Sequence, residues 1–119
     1  MISLALVGHV LFGGFFVIGG MMHFMKLRGM TEATRAKGVP LPELAVMGTG
    51  VVIMLAGLGV IFDIRRTLAY LVLAAFLVVI TPIMHAFWKE TDPNMKMVSM
   101  QMFLKNMALL GAALALISA

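Results

Sequence analysis

Five polar side chains in this sequence have the types and spacing to hold a small redox ligand: His23, His85, Trp88, Lys105 and Asn106. Imidazoles on two separate helices can ligate a b-type haem or donate to the carbonyl oxygens of a quinone headgroup. Trp88 adds a flat apolar wall. Asn106 and Lys105 add donors, and the Lys105 ammonium would stabilise negative charge on a reduced oxygen. A quinone is the ligand this set suits best; two histidines alone are a weak haem signature. Each residue also has a plainer use. Helix-end histidines commonly join helices, and Trp88 suits an aromatic belt at a membrane surface. Lys105 can snorkel to that surface or meet an acidic partner, for which Glu43, Glu90 and Asp92 are the candidates.

Copper(I) is the second chemistry to weigh, because the chain has 13 methionines and Met95, Met97, Met100 and Met102 form an M-x-M-x-x-M-x-M run, with Met21 and Met25 one helical turn apart. Thioethers suit that ion. On a helix, however, the four positions of the run spread round the axis, as adaptable packing residues would. Haem and copper therefore fit less well than a quinone. His9 shares a helical face with Phe16 and His23 and is expected near the outer surface as an interfacial histidine. No acid accompanies it there, which disfavours a proton pump or an ion-coupled transporter. The chain has no cysteine, so disulfides, Cys-ligated iron–sulfur clusters and covalent c-type haem are excluded for this chain alone.

The elements that must position these residues follow from composition. Of 119 residues 62% are hydrophobic and 12% charged, and the mean hydropathy is +1.08. That apolar surface exceeds what so short a chain can bury within itself, and the sequence reads as an integral membrane protein. A span needs about 20 apolar residues, and four are expected, over about 2–25, 44–62, 68–87 and 97–118. The first has no basic flank or small-residue cleavage site and reads as a true span, not a signal peptide. Only Asp63-Ile64-Arg65-Arg66-Thr67 separates the second and third, which must form a tight antiparallel hairpin. Asp92-Pro93 supplies an N-cap and a first-turn proline, so the fourth helix starts at Pro93 and carries Gln101, Lys105 and Asn106 inward. Pro82 should kink the third span one turn before His85. Between the first two spans, Thr31 to Gly38 reads as a short capped helix opened by Thr31 and closed by Gly38.

Alternation of the spans puts the five polar residues at one membrane face. The two longer loops there hold Lys26, Arg28, Arg35, Lys37, Lys89 and Lys96, whereas the opposite hairpin offers only Arg65 and Arg66. The positive-inside rule then places the long loops in the cytoplasm and both termini outside. It also accounts for the net charge of +4 without a nucleic-acid partner. Small residues, among them Gly13, Gly20, Gly50, Gly57 and Gly111, are expected to pack the helices closely.

Several segments resemble DoxX-type membrane proteins over essentially the whole chain. They are Phe12-Gly13-Gly14-Phe15-Phe16, Met22-His23-Phe24, Lys37-Gly38-Val39-Pro40-Leu41-Pro42, Met84-His85-Ala86-Phe87-Trp88 with Asp92-Pro93, and Phe103-Leu104-Lys105-Asn106 running on to Gly111. The resemblance implies a four-helix fold and an association with quinone-linked redox complexes. It is to a family named for subunits of a terminal quinol oxidase and a thiosulfate:quinone oxidoreductase. Carried over residue by residue, it points to His23, His85, Trp88, Lys105 and Asn106.

The expectation is a single domain over 1–119, an all-α integral membrane antiparallel four-helix bundle in a bacterial or archaeal cytoplasmic membrane. It would be a subunit or partner in quinone-linked redox metabolism, in contact with the bilayer and with other membrane or redox proteins, or with copies of itself. The rival expectation is a structural or assembly subunit with no ligand of its own, in which the polar residues join helices.

Overall fold

The structure is a computed structural model that describes residues 2–119. It is all-α, with five helices: α1 (Leu4–Met25), α2 (Leu27–Ala36), α3 (Pro42–Phe62), α4 (Arg66–Met84) and α5 (Pro93–Leu116), plus one 3-10 turn, Phe87–Lys89. No strand occurs among the described residues. α1, α3 and α5, together with α4 continued through Lys89, are long and apolar enough to cross a membrane. Their bounds lie within a few residues of the four expected spans.

The helix ends follow local chemistry. Ser3 caps α1 by accepting from the Leu6 N–H at 3.1 Å, and Asp92 caps α5 ahead of Pro93, accepting from the Asn94 N–H at 3.4 Å. Each supplies an acceptor to a first-turn N–H that has no helical partner. The hairpin between α3 and α4 turns through Asp63 and Arg65, both with positive φ. Arg66 steadies it, donating from Nε to the Val60 carbonyl oxygen at 2.9 Å and pairing with Asp63 at 3.6 Å, a cation on the carbonyl end of α3.

The expected short helix between the first two spans is longer than Thr31 to Gly38 and begins elsewhere. α1 breaks at Lys26 and α2 starts at Leu27, so Thr31 lies inside the helix and is no cap. It is buried, and its hydroxyl has no hydrogen-bond partner. Gly38 does close the segment, at φ 80°, a conformation that glycine adopts without steric cost.

The closest packing in the molecule joins α1 to α3. A Cβ at position 13 would lie 2.6 Å from the Gly57 backbone oxygen, and one at position 57 would lie 2.6 Å from that of Gly13. Gly20 and Gly50 repeat the arrangement two turns away, with Gly50 against the His23 side chain. Only glycine permits backbones this close. Gly14 and Gly111 have no neighbour of this kind. The apolar core lies between α1, α3 and α4, around Phe12, Phe16, Ile53, Val60, Tyr70, Leu73 and Leu77, with Ala113 of α5 at its edge.

Candidate functional site

Each of the five sequence-selected residues has its own environment. His23, half-buried near the end of α1, hydrogen-bonds through Nδ1 to the Val46 carbonyl oxygen at 2.8 Å, with the Thr49 hydroxyl 3.2 Å away. A carbonyl can only accept, so Nδ1 carries a proton and donates to it. Thr49 donates to the Ala45 carbonyl at 2.7 Å, which fixes the hydroxyl beside the ring.

Asn106 is buried, and its Nδ2 donates to the Thr81 hydroxyl at 3.1 Å, tying α5 to α4. The next residue, Lys105, takes the opposite course. Its Nζ lies 5.3 Å from the centroid of the Phe15 ring of α1, a cation over an aromatic face. None of the three candidate acids pairs with it. Glu90 is bridged to Lys37 at 3.3 Å, while Glu43 borders a surface depression of about 360 Å³ with Arg35, Leu41, Pro42, Leu44 and Met47. Lys105 is the thirteenth of the 24 residues of α5, and Phe15 the twelfth of the 22 of α1. The cation therefore sits midway along its helix.

His85 caps the end of α4, its N–H on the Thr81 carbonyl at 2.9 Å. Pro82 does more than kink this span: the α-helix stops two residues later, at Met84, and resumes only as a 3-10 turn. His85 is half-buried and close enough to Lys105 and Lys37 to lie in the field of both ammonium groups. Trp88 is 52% exposed and packs edge-on against Phe87 and Phe103. A second depression, of about 520 Å³ between α3 and α4 around Leu55, Gly59, Leu68 and Val72, is likewise not lined by any of the five. No three His, Asp or Glu residues among those described are placed to hold a metal ion. In the methionine run, Met95, Met97 and Met100 are exposed and Met102 half-buried.

A residue outside the five, His9, has buried partners that its own segment does not announce. His9 lies in the second turn of α1, near that end of the molecule, but is 2% exposed and packed among the helices. Its Nδ1 lies 2.6 Å from the Tyr70 hydroxyl, and its Nε2 lies 3.1 Å from the backbone oxygen of Ala119. One assignment satisfies all three groups: the Tyr70 O–H donates to Nδ1, and Nε2–H donates to Ala119. The signal was present in the shared face of His9, Phe16 and His23. That face points into the core along α1, and a histidine on it needs buried partners, which α4 and the C-terminal residues supply.

Comparison with known proteins identifies one family. A family model described as HR-like lesion-inducing matches residues 29–119, which is 91 of the 119 residues. No curated protein matches, and no solved structure matches. The resemblance to DoxX-type proteins is thereby corrected, since the matching family is a different one and no DoxX match is found. The segments that suggested it are short, and the small and aromatic residues in them are common at the contacts and ends of membrane helices generally. The redox associations that the resemblance carried lose that support with it.

Proposed function

The chain belongs to the HR-like lesion-inducing family, and on that premise we propose that it is a small integral-membrane four-helix protein acting as a structural or partner subunit, with no ligand of its own. The family description names an effect, lesion induction, and no chemical step. The observation that carries this reading is the use made of the polar residues: His23 binds the Val46 carbonyl of α3 and Asn106 binds Thr81 of α4. Interhelical hydrogen bonds of this kind hold helices together where lipid supplies no hydrophobic drive. In this reading the four long apolar helices cross the bilayer, with the basic loops on its cytoplasmic side.

A second reading has one observation in its favour. The side chains of His85, Lys105 and Trp88 make no protein hydrogen bond among the described residues, unlike those of His23 and Asn106, and His85 lies in the field of the Lys105 ammonium. A quinone-class headgroup beside the Pro82 break would accept from them.

One preparation separates the two. The protein is purified in mild detergent, extracted for quinone, and melted with and without added quinone. Under the structural reading it carries no quinone, its Tm is unmoved by added quinone, and it co-purifies with another polypeptide. A stoichiometric quinone lost on Lys105→Met or His85→Ala would overturn that reading in favour of the second.

A further inference from the structure

The helix with the least cover from its neighbours is also the least apolar of the four long ones: 17% of its window is buried in α5, against 28–39% in the others. Lipid favours the reverse arrangement, because a helix surrounded by hydrocarbon has no partner for its polar groups. The buried residues of α5 are Ser99, Asn106 and Ala113, a single stripe at seven-residue spacing that faces α4 and the core. Half a turn away, at 3.6 residues per turn, lie Met97, Gln101, Leu104, Ala108, Gly111 and Ala115, all exposed. Lys105 stands at the edge of this face, over Phe15.

Two features of this outer face are wrong for lipid. Gln101 projects from it with no hydrogen-bonding partner in the chain, and Lys105 holds its charge midway along the helix. A helix of 24 residues is about 36 Å long and the hydrocarbon core about 30 Å thick. A lysine at the midpoint is then about 15 Å from either boundary, farther than its four-carbon stem extends. Ala108, Gly111 and Ala115 continue the same face as a shallow surface on which another helix backbone can lie close. A Cβ at position 111 would meet nothing within 4 Å.

We propose that this face of α5 docks a transmembrane helix of a different protein, one that carries an Asp or Glu at mid-membrane depth opposite Lys105. The inference rests on the structural-subunit reading and names the chemistry of the partner. Charge decides against a second copy of the chain as occupant. The five acidic residues, Glu32, Glu43, Asp63, Glu90 and Asp92, all lie in α2, in the first turn of α3 or in the connections. No copy of this chain can therefore bring a carboxylate to mid-depth opposite Lys105.

The full-length protein in liposomes is titrated with a labelled synthetic helix of about 20 residues, made of Leu and Ala with one central Glu, and association is read by energy transfer. A matched peptide with Leu in place of Glu is the reference. The Glu peptide should bind several-fold more tightly than the Leu peptide, in line with the modest strength of interhelical polar contacts. Lys105→Met should abolish that preference while Lys105→Arg keeps it. Gly111→Ile should weaken both peptides. Both positions are exposed, so the variants should melt like the wild type. Equal binding of the two peptides, or a preference that survives Lys105→Met, would overturn the proposal. So would efficient disulfide formation between two copies of Gly111→Cys, which would identify a self-dimer. None of these outcomes produces a bound quinone, so failure here is distinguishable from failure of the structural reading.

Discussion

The Tyr70 hydroxyl meets His9 Nδ1 at 2.6 Å with both side chains removed from solvent, joining the early turns of α1 and α4 near the chain termini. Phe12 closes over the pair, its ring centroid 5.1 Å from that of Tyr70. Tyr70→Phe keeps the packing and removes only the donor, leaving a buried imidazole nitrogen without a partner. That omission costs about 1–3 kcal/mol. A lower Tm in detergent for Tyr70→Phe, with an unchanged helical circular dichroism spectrum, is the expected result. An unchanged Tm would mean that the hydrogen bond is not formed.

The paired glycines give a sharper contrast. Gly13→Ala places a methyl 2.6 Å from the Gly57 backbone oxygen and 2.7 Å from Ile61 Cγ1, and overpacking of this kind costs about 1–3 kcal/mol. Gly14→Ala, one residue along, meets nothing and should be neutral or stabilising, by up to about 1 kcal/mol, because alanine is the better helix former. Thermal melts of the two variants side by side test the α1–α3 contact directly, since composition changes identically in both.

Asn106 and Thr81 should behave as a coupled pair. Thr81→Val removes the acceptor and leaves the buried Asn106 amide unsatisfied, at about 1–3 kcal/mol. Replacing both, with Thr81→Val and Asn106→Leu, should recover much of that loss, because two apolar groups then face each other. A double-mutant cycle on unfolding free energy measures the coupling. Additive single effects would count against the contact.

The Lys37–Glu90 bridge ties the end of α2 to the connection ahead of α5 at 3.3 Å, with both side chains still partly exposed. Glu90→Gln should therefore cost no more than about 1 kcal/mol, and less in high salt. A salt titration of the melting temperature, wild type against variant, checks both the size and the sign.

The features legible in the sequence were those that depend on neighbours along the chain. Asp92 and Pro93 announce the start of α5 whatever packs against it, and Gly38 ends its segment by a backbone preference of its own. Three of the four long apolar helices follow from run length, and the fourth from that Asp92-Pro93 start signal. What was illegible depends on how helices face one another. The position of His9 near the start of its helix is legible, but its partners, Tyr70 and Ala119, are 61 and 110 residues away. Thr31 looked like a cap because its type suits one, but the helix already begins at Leu27. The candidate site was read as one cluster because alternation brings five residues to one end. Alternation fixes direction and leaves rotation about each helix axis open, and rotation turns Asn106 inward and Lys105 toward Phe15.

The glycine contacts between α1 and α3 also permit an order of assembly during synthesis. Every residue of that interface, from Gly13 to Ile61, has been made by the time α3 is complete, so the first two long helices can associate before α4 and α5 leave the ribosome. Those later helices then arrive at a finished two-helix template. An early lesion at Gly13 or Gly57 would accordingly harm biogenesis more than a late one of equal thermodynamic size at Asn106.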